Sequence, residues 1–313
     1  HSAERLNLCE YSSIDTSLCL NGVITAAAYF HNSEISDLAE KILARVEWNF
    51  LVFEKDGKTL FHMAYNPDRG GDYVHGEPGF IHSWNMAAEQ KSMYLQAVRS
   101  VEAEIARKLY AGFSRDTGVF NGQRIIINPD GNLFAYQFSE AWLDTGSNLD
   151  PDKVDWFENT RRAALANRAF CTAHAGQYQT YSRESWGLSA GDSPGGYAIC
   201  GASPSLKKPC HNGTVTISAA LASLPFAPQE TAEMFLFLYQ HQPQTWGNYG
   251  FFDAYNLAVN PAWYGNTLYG INKGCSMIMI ENYLSHLVWD IYTNSSEIQK
   301  ALKILRFTRK TGG

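Results

Sequence analysis

The chain has 313 residues, 45% hydrophobic and 18% charged, enough apolar material for a sizeable core in one large domain or two ordinary ones. A net charge of −6 and a pI near 5.9 argue against nucleic acid as a partner, since basic residues gather only at Lys207-Lys208 and in the C-terminal tail. No apolar run approaches the roughly 18 residues of a membrane span, and aromatic residues, at 13%, are more frequent than a plain helical bundle needs, as a ring-lined cleft would require.

The first element, Glu10 to Phe30, sets the pattern. Ser12 and Ser13 can cap a helix start, Asp15 falls in its first turn, and the following residues are apolar nearly all round. That predicts an inner helix buried on every side, with Asp15 at its mouth as either a capping or a catalytic acid. Asn32-Ser33 caps an amphipathic helix over Glu34–Val46, with Ile35, Leu38, Ala39, Ile42, Leu43 and Val46 on one face. LVFE and KTLFHMAY meet across Asp56-Gly57 as a hairpin, and residues 65–83 read as a long loop.

A third helix is predicted from Asn85 to Leu109, with Glu89 in its opening turns. Residues 111–138 read as loop and short strands with turns at Asn121-Gly122 and Asp130-Gly131. A fourth helix runs over 154–171, where Glu158 has Arg161 and Arg162 at ion-pair spacing. Short helices at Ser218–Leu224 and Gln229–Gln240 are hinged by Pro225 and Pro228, and helices over Cys275–Tyr292 and Ser296–Phe307 close the chain. Helices separated by aromatic loops, with no linker and no short repeat, predict one domain over 1–313.

Six cysteines are spread without CxxC spacing; Cys200 and Cys210 flank a loop and suit either a disulfide or two free thiols. Sequons at Asn212 and Asn294 favour a periplasmic or secreted location, although the first twelve residues have neither the basic start nor the apolar run of a leader. There is no metal-ligand spacing, phosphate loop or nucleophile elbow, so no cofactor is expected.

Seven segments together resemble the glycoamylase-like family of endo-β-1,2-glucanases and cyclic β-1,2-glucan synthase domains. They are EYSSIDTSLCLNG, WNMAAEQKSMYL, DWFENTRRAALANRAFC, SWGLSAGDSPGGY, TVTISAALASLPFAP, YGFFDAYN and GINKGCSMIMIENYLSHLVW, in family order from residue 10 to about 290. The resemblance implies an all-α (α/α)6 toroid with long loops and short β-hairpins, and a glycoside hydrolase endo-acting on β-1,2-glucan. Glucan transfer on the same fold, or a non-catalytic carbohydrate-binding or assembly protein, are the alternatives. The family begins with further helices, so the toroid is expected to be incomplete at the N-terminus, or completed by another chain or subunit. Where many relatives have Asp-Gln-Gly, this chain reads Asn272-Lys273-Gly274; around Glu89 it reads Ala-Ala-Glu where Tyr-Asn-Glu is common.

Glycoside hydrolysis needs an acid to protonate the leaving oxygen and a carboxylate across the bond. On this resemblance Glu89 is the expected acid and Asp15 the base or positioning group, with Glu184 and Asp253 competing for the second role. Read from the residues alone, without the resemblance, Glu89 is better explained as a solvated acid on an amphipathic helix. Trp84, Trp186, Tyr197, Trp246, Tyr249 and Phe252 are expected platforms for sugar CH faces, and Asp192 a substrate-binding acid. Arg69, His82 and Gln137 are weaker polar candidates.

Overall fold

The computed structural model describes residues 9–68 and 78–310, and among these it is largely helical with short strands. The helices are α1 (Ser13–Phe30), α2 (Ser33–Leu43), α3 (Lys91–Ala97), α4 (Ala103–Gly112), α5 (Phe134–Gln137), α6 (Trp156–Ala173), α7 (Ile217–Leu221), α8 (Pro228–His241), α9 (Gly270–Ser285), α10 (Leu287–Asn294) and α11 (Ser296–Ile304). Two compact units emerge: residues to Ser114 with Ile291–Thr308, and Arg115–Asp290 with Arg309–Gly313.

In the first unit, α1 starts where Ser12 Oγ accepts the Asp15 N–H (3.2 Å) and stops at His31, in the left-handed region with φ 44°. Its burial corrects the expectation. Only Ser13, Ser17, Leu20, Asn21 and Ile24 are buried, while Cys19, Tyr29 and Phe30 are exposed. The helix is apolar all round, but within this unit only one face is covered. Asn32 caps α2 through its Oδ1, as predicted, yet only Ala39 and Leu43 of the apolar face are buried.

The hairpin forms as read. β2 (Val52–Lys55) and β3 (Lys58–Tyr65) pair antiparallel from Val52↔Phe61 to Lys55↔Lys58, after β1 (Tyr11–Ser12). The two loop residues, Asp56 (φ 50°) and Gly57 (φ 71°), both take the positive φ of a type I′ turn. β1 pairs the last two residues of β3, and β4 (Phe80–Ser83) pairs its second half. Beneath the sheet Phe61 stacks on Tyr94 (5.7 Å), and Tyr94 on Phe113 (5.6 Å), forming a core of rings.

The single helix predicted over 85–109 is two. Residues 86–90 are bends and turn, α3 follows, and Ser100 to Glu102 break the rod before α4. Ser100 Oγ is taken by the Trp48 N–H (3.0 Å), and Glu102 is extended at ψ 145°. A tertiary hydrogen bond therefore interrupts a continuous helical period.

In the second unit, β5 (Thr117–Phe120) and β6 (Gln123–Ile126) form a hairpin across Asn121-Gly122. Asp155 caps α6 through the Glu158 N–H (2.9 Å), and Pro228 opens α8. Leu133, Trp186, Leu188, Val215, Ile217, Ala220, Met234 and Tyr255 belong to one core cluster. The last helices differ from the expectation. α9 begins at Gly270, five residues early, and breaks at His286 in the left-handed region (φ 62°), so Cys275–Tyr292 is not one rod. Gly270 and Gly274, poor helix formers, hid that start. No described helix is long and apolar enough to cross a membrane.

Candidate active site

In the first unit the starts of α1 and α3 are tied by buried polar contacts. Ser17 Oγ meets Ser92 Oγ (3.3 Å), and Gln96 Nε2 donates to Ser17 O (2.9 Å) and Asn21 Oδ1 (2.6 Å). The order of these pairs makes the helices parallel, so their N-terminal ends point the same way. Ser13 Oγ donates to Met63 O (2.6 Å) and accepts the Trp84 indole N–H (3.0 Å), joining α1, β3 and the loop that carries Glu89. Trp84 is thus 5% exposed with its polar edge committed, a core residue with no ring face for a sugar.

Asp15 is exposed in the first turn of α1, and Glu89 lies two residues before α3. Glu89 keeps part of its surface open, but protein surrounds its carboxyl, and that enclosure decides its acidity. Burial raises its pKa from 4.5 to about 7, its own backbone N–H and Lys91 pull it back, and the Asp15 charge adds to the rise. The two acids therefore sense each other's charge. The Lys91 ammonium is itself buried, donating to Ala88 O at 3.2 Å.

A raised carboxyl pKa has a stability signature. The folded state holds the proton more tightly than the unfolded chain, so this contribution is complete below about 4.5 and is lost as pH rises through about 7. Gln cannot ionise. Glu89→Gln is expected to match the parent's melting temperature at acid pH and exceed it at pH 8, by ~3 kcal/mol in stability. A parent and variant with parallel melting curves across that range would contradict the buried carboxyl.

The second unit holds the other named acids. Asp253, 4% exposed, accepts at Oδ1 from Ser218 Oγ (3.1 Å) and Asn272 Nδ2 (2.9 Å), and at Oδ2 from the Asp192 N–H (2.8 Å). Burial raises its pKa while these three donors lower it. Glu184 closes a small loop of its own, its N–H donating to Ser182 Oγ (3.0 Å) and Oε2 accepting from that hydroxyl (3.3 Å). Glu158 is paired to Arg162 Nε (2.9 Å) and Arg161 Nη1 (3.2 Å), the structural ion pair its spacing suggests.

Among the aromatic candidates, Trp186 is fully buried in the core cluster and is not a platform. Trp246 (53% exposed) and Tyr249 (80%) stand on a small hairpin, Trp246–Gly247 with Gly250–Phe251; the Trp246 ring meets Phe251 edge-on at 4.6 Å and keeps half its surface open. Phe252 lies over Gly247, where a Cβ would meet its ring at 2.6 Å. Tyr197 is 57% exposed and packs edge-on against Tyr269 (5.5 Å, 74°). Gln137 is structural: its Nε2 donates to Ala219 O (2.8 Å) and Ser223 Oγ (2.9 Å). His82 is exposed at φ 47°, and Arg69 lies outside the described residues. Cys200 and Cys210 are free thiols.

Sequence reasoning missed Ser218 and Tyr269, and marked Asn272 and Lys273 only as departures from the family pattern. The early start of α9 was the signal needed, because it puts Asn272 and Lys273 in the first turn of a helix, level with Asp253.

The parallel helices with Asp15 and Glu89 at their N-terminal ends belong to the first unit, and the exposed rings Tyr197, Trp246 and Tyr249 belong to the second. Residues 81–296 match the family model Glycoamylase, described as "Putative glucoamylase", and the chain belongs to that family. Over 93% of its length it is 26% identical to an exo β-1,2-glucooligosaccharide sophorohydrolase (non-reducing end) of Parabacteroides distasonis. It spans 42% of that relative's length. Among solved structures, an endo-β-1,2-glucanase from Chitinophaga pinensis, in complex with sophorotriose and glucose, superimposes with a TM-score of 0.79 at 26% identity, covering 95% of this chain and 71% of that one. A β-1,2-glucanase from Parabacteroides distasonis gives 0.79 at 25% identity, covering 94% and 44%.

Proposed function

We propose that the chain is a hydrolase of β-1,2-linked glucan, endo-acting, with Glu89 as the general acid and Asp15 as the base or the group that positions water. The observation that carries this reading is the Glu89 carboxyl, protonated up to about pH 7 at the same end of a parallel helix pair as Asp15. A protonated acid beside an open carboxylate is what leaving-group protonation and water activation require. The names of the two β-1,2-glucanase relatives and of the sophorohydrolase support the linkage. An (α/α)6 toroid formed as one domain suits the helical content and the family. The chain or segment completing it would cover Tyr29, Phe30, Leu38 and Ile42, apolar side chains exposed on α1 and α2. A periplasmic or secreted setting suits a polymeric substrate.

The test is reducing-end release from β-1,2-glucan, with β-1,3- and β-1,4-glucans as controls and the products separated by length. A ladder of oligosaccharides supports endo action; sophorose alone would replace it with exo action, and no release from any glucan would overturn the hydrolase reading. Trp246→Ala is expected to raise KM severalfold with kcat little changed, because a half-exposed ring contributes binding common to ground and transition states. Saturation curves at fixed pH check it.

A further inference from the structure

The surroundings of Asp253 are arranged for holding. A carboxylate offers about four lone-pair sites, and three are already filled by neutral donors on three separate segments. The Asn272 Nδ2 group also reaches Ala190 O at 3.4 Å, and Asn272 lies in the first turn of α9. The approach to Oδ2 is made by a glycine, since a Cβ at Gly191 would lie 2.6 Å from that oxygen and 2.9 Å from Thr216 Cγ2. Ser218, Asp253, Tyr269 and Lys273 together line a cavity of about 10 Å³, room for roughly one water. Such a carboxylate has little left with which to move a proton.

What Asp253 holds is the backbone of Asp192. The Asp192 side chain is half-buried, with Oδ1 accepting the Ser193 N–H (3.1 Å) and Oδ2 3.4 Å from where a Cβ on Gly265 would stand. Its charge reaches Tyr269, whose ring meets exposed Tyr197 edge-on. A carboxylate beside an exposed aromatic corner has the two features that bind a pyranose, an acceptor for adjacent hydroxyls and a flat face for CH groups.

We propose that Asp253 is a positioning residue, held by Asn272 and Ser218, that fixes Asp192 beside the Tyr197–Tyr269 corner as a subsite for one glucose unit. The sugar class rests on the β-1,2-glucan reading; the positioning does not. The charged and titratable groups facing Asp253 are Asp192 from the loop after Gly191, Tyr269 before α9 and Lys273 on it. Lys273 Nζ donates to the Phe251 carbonyl, while its charge still acts on Asp253.

Asn272→Asp tests this, because it puts a second carboxylate within hydrogen-bonding distance of Asp253 Oδ1. Two such groups share one proton when it is available and repel when it is lost. With β-1,2-gluco-oligosaccharides the parent KM is expected to stay nearly level from about pH 5 to about pH 8. The variant's KM is expected to rise about tenfold over the same range, with kcat within about threefold of the parent. Asn272→Ala is expected to raise KM without the pH slope. A variant KM that tracks the parent's, or a loss carried by kcat alone, overturns the proposal, the second because it would return Asp253 to the chemistry.

Crystal structures of the parent and Asn272→Ala provide the arm that needs no substrate. Displacement of the Asp192 backbone supports the positioning role and an unmoved Asp192 overturns it, whether or not any glucan is cleaved. If Asn272→Asp does not fold, Gly191→Ala presses on Oδ2 from the opposite side and is expected to raise KM in the same way. Parent protein that neither binds sophorose nor cleaves β-1,2-glucan removes the glucose assignment and leaves the structural arm to decide the rest.

Discussion

Glu89→Gln is expected to lower the rate of β-1,2-glucan hydrolysis by at least about a hundredfold, the usual contribution of a positioned acid. The substitution keeps size and hydrogen-bonding shape but removes the proton, and circular dichroism should find the variant folded. The parent carries a second signature. In the proposed role Glu89 must be protonated to work, and burial holds that proton up to about pH 7, so kcat/KM should fall as pH rises beyond that point. An unperturbed carboxyl would lose the same activity some two to three pH units lower. Activity that survives Glu89→Gln, or a profile still rising at pH 8, would remove Glu89 from the role of acid and leave the fold untouched.

The second large effect concerns stability. Asn21→Ala is expected to destabilise the protein by about 3 kcal/mol, readable as a lower denaturant midpoint with an unchanged slope. Asn21 is fully buried on α1, and its Oδ1 accepts from both Gln96 Nε2 and the Tyr292 hydroxyl, each at 2.6 Å. Removing that oxygen takes an acceptor from two buried donors at once, costing more than one exchanged hydrogen bond. A companion variant, Gln96→Met, should cost less on top of Asn21→Ala than alone, because one donor is then gone already. Additive losses would show that the two residues act separately. The ion pair of Arg99 with Glu297 (2.9 Å), partly exposed and also linked to Glu40, should matter much less, on the order of 1 kcal/mol.

How far the sequence could be read depended on whether a signal was local. The Asp56-Gly57 turn and the Asn32 cap are set by neighbouring residues and stand where the sequence puts them, while the helices read from Val154 and Gln229 begin at Trp156, capped by Asp155, and at Pro228. The helix over 85–109 failed because its period continues through Ser100, whose hydroxyl is claimed by Trp48, a residue 52 positions away. Trp84 and Trp186 failed for a related reason. A loop rich in Trp, Gly and Ser looks the same whether its ring faces a ligand or a core, and only the hydrogen bond to Ser13 and the surrounding cluster distinguish them. The contrast between Asp253 and Glu89 was equally hidden. One has three donors on its oxygens and the other is enclosed by protein, differences created by chain segments far apart in sequence.

The polar contacts between α1 and α3 have a further consequence. Ser17–Ser92 and Asn21–Gln96 recur at a spacing of four residues on both helices, so a slide of one turn, about 5.4 Å, would mismatch the series. The series acts as a key that admits one register. The register of the two helix starts is therefore set from behind, by residues other than the two acids, while the gap between the acids also depends on the turn at 86–90 that carries Glu89. The turn ahead of Lys91, and with it the place of Glu89, can therefore vary while α1 and α3 keep their register.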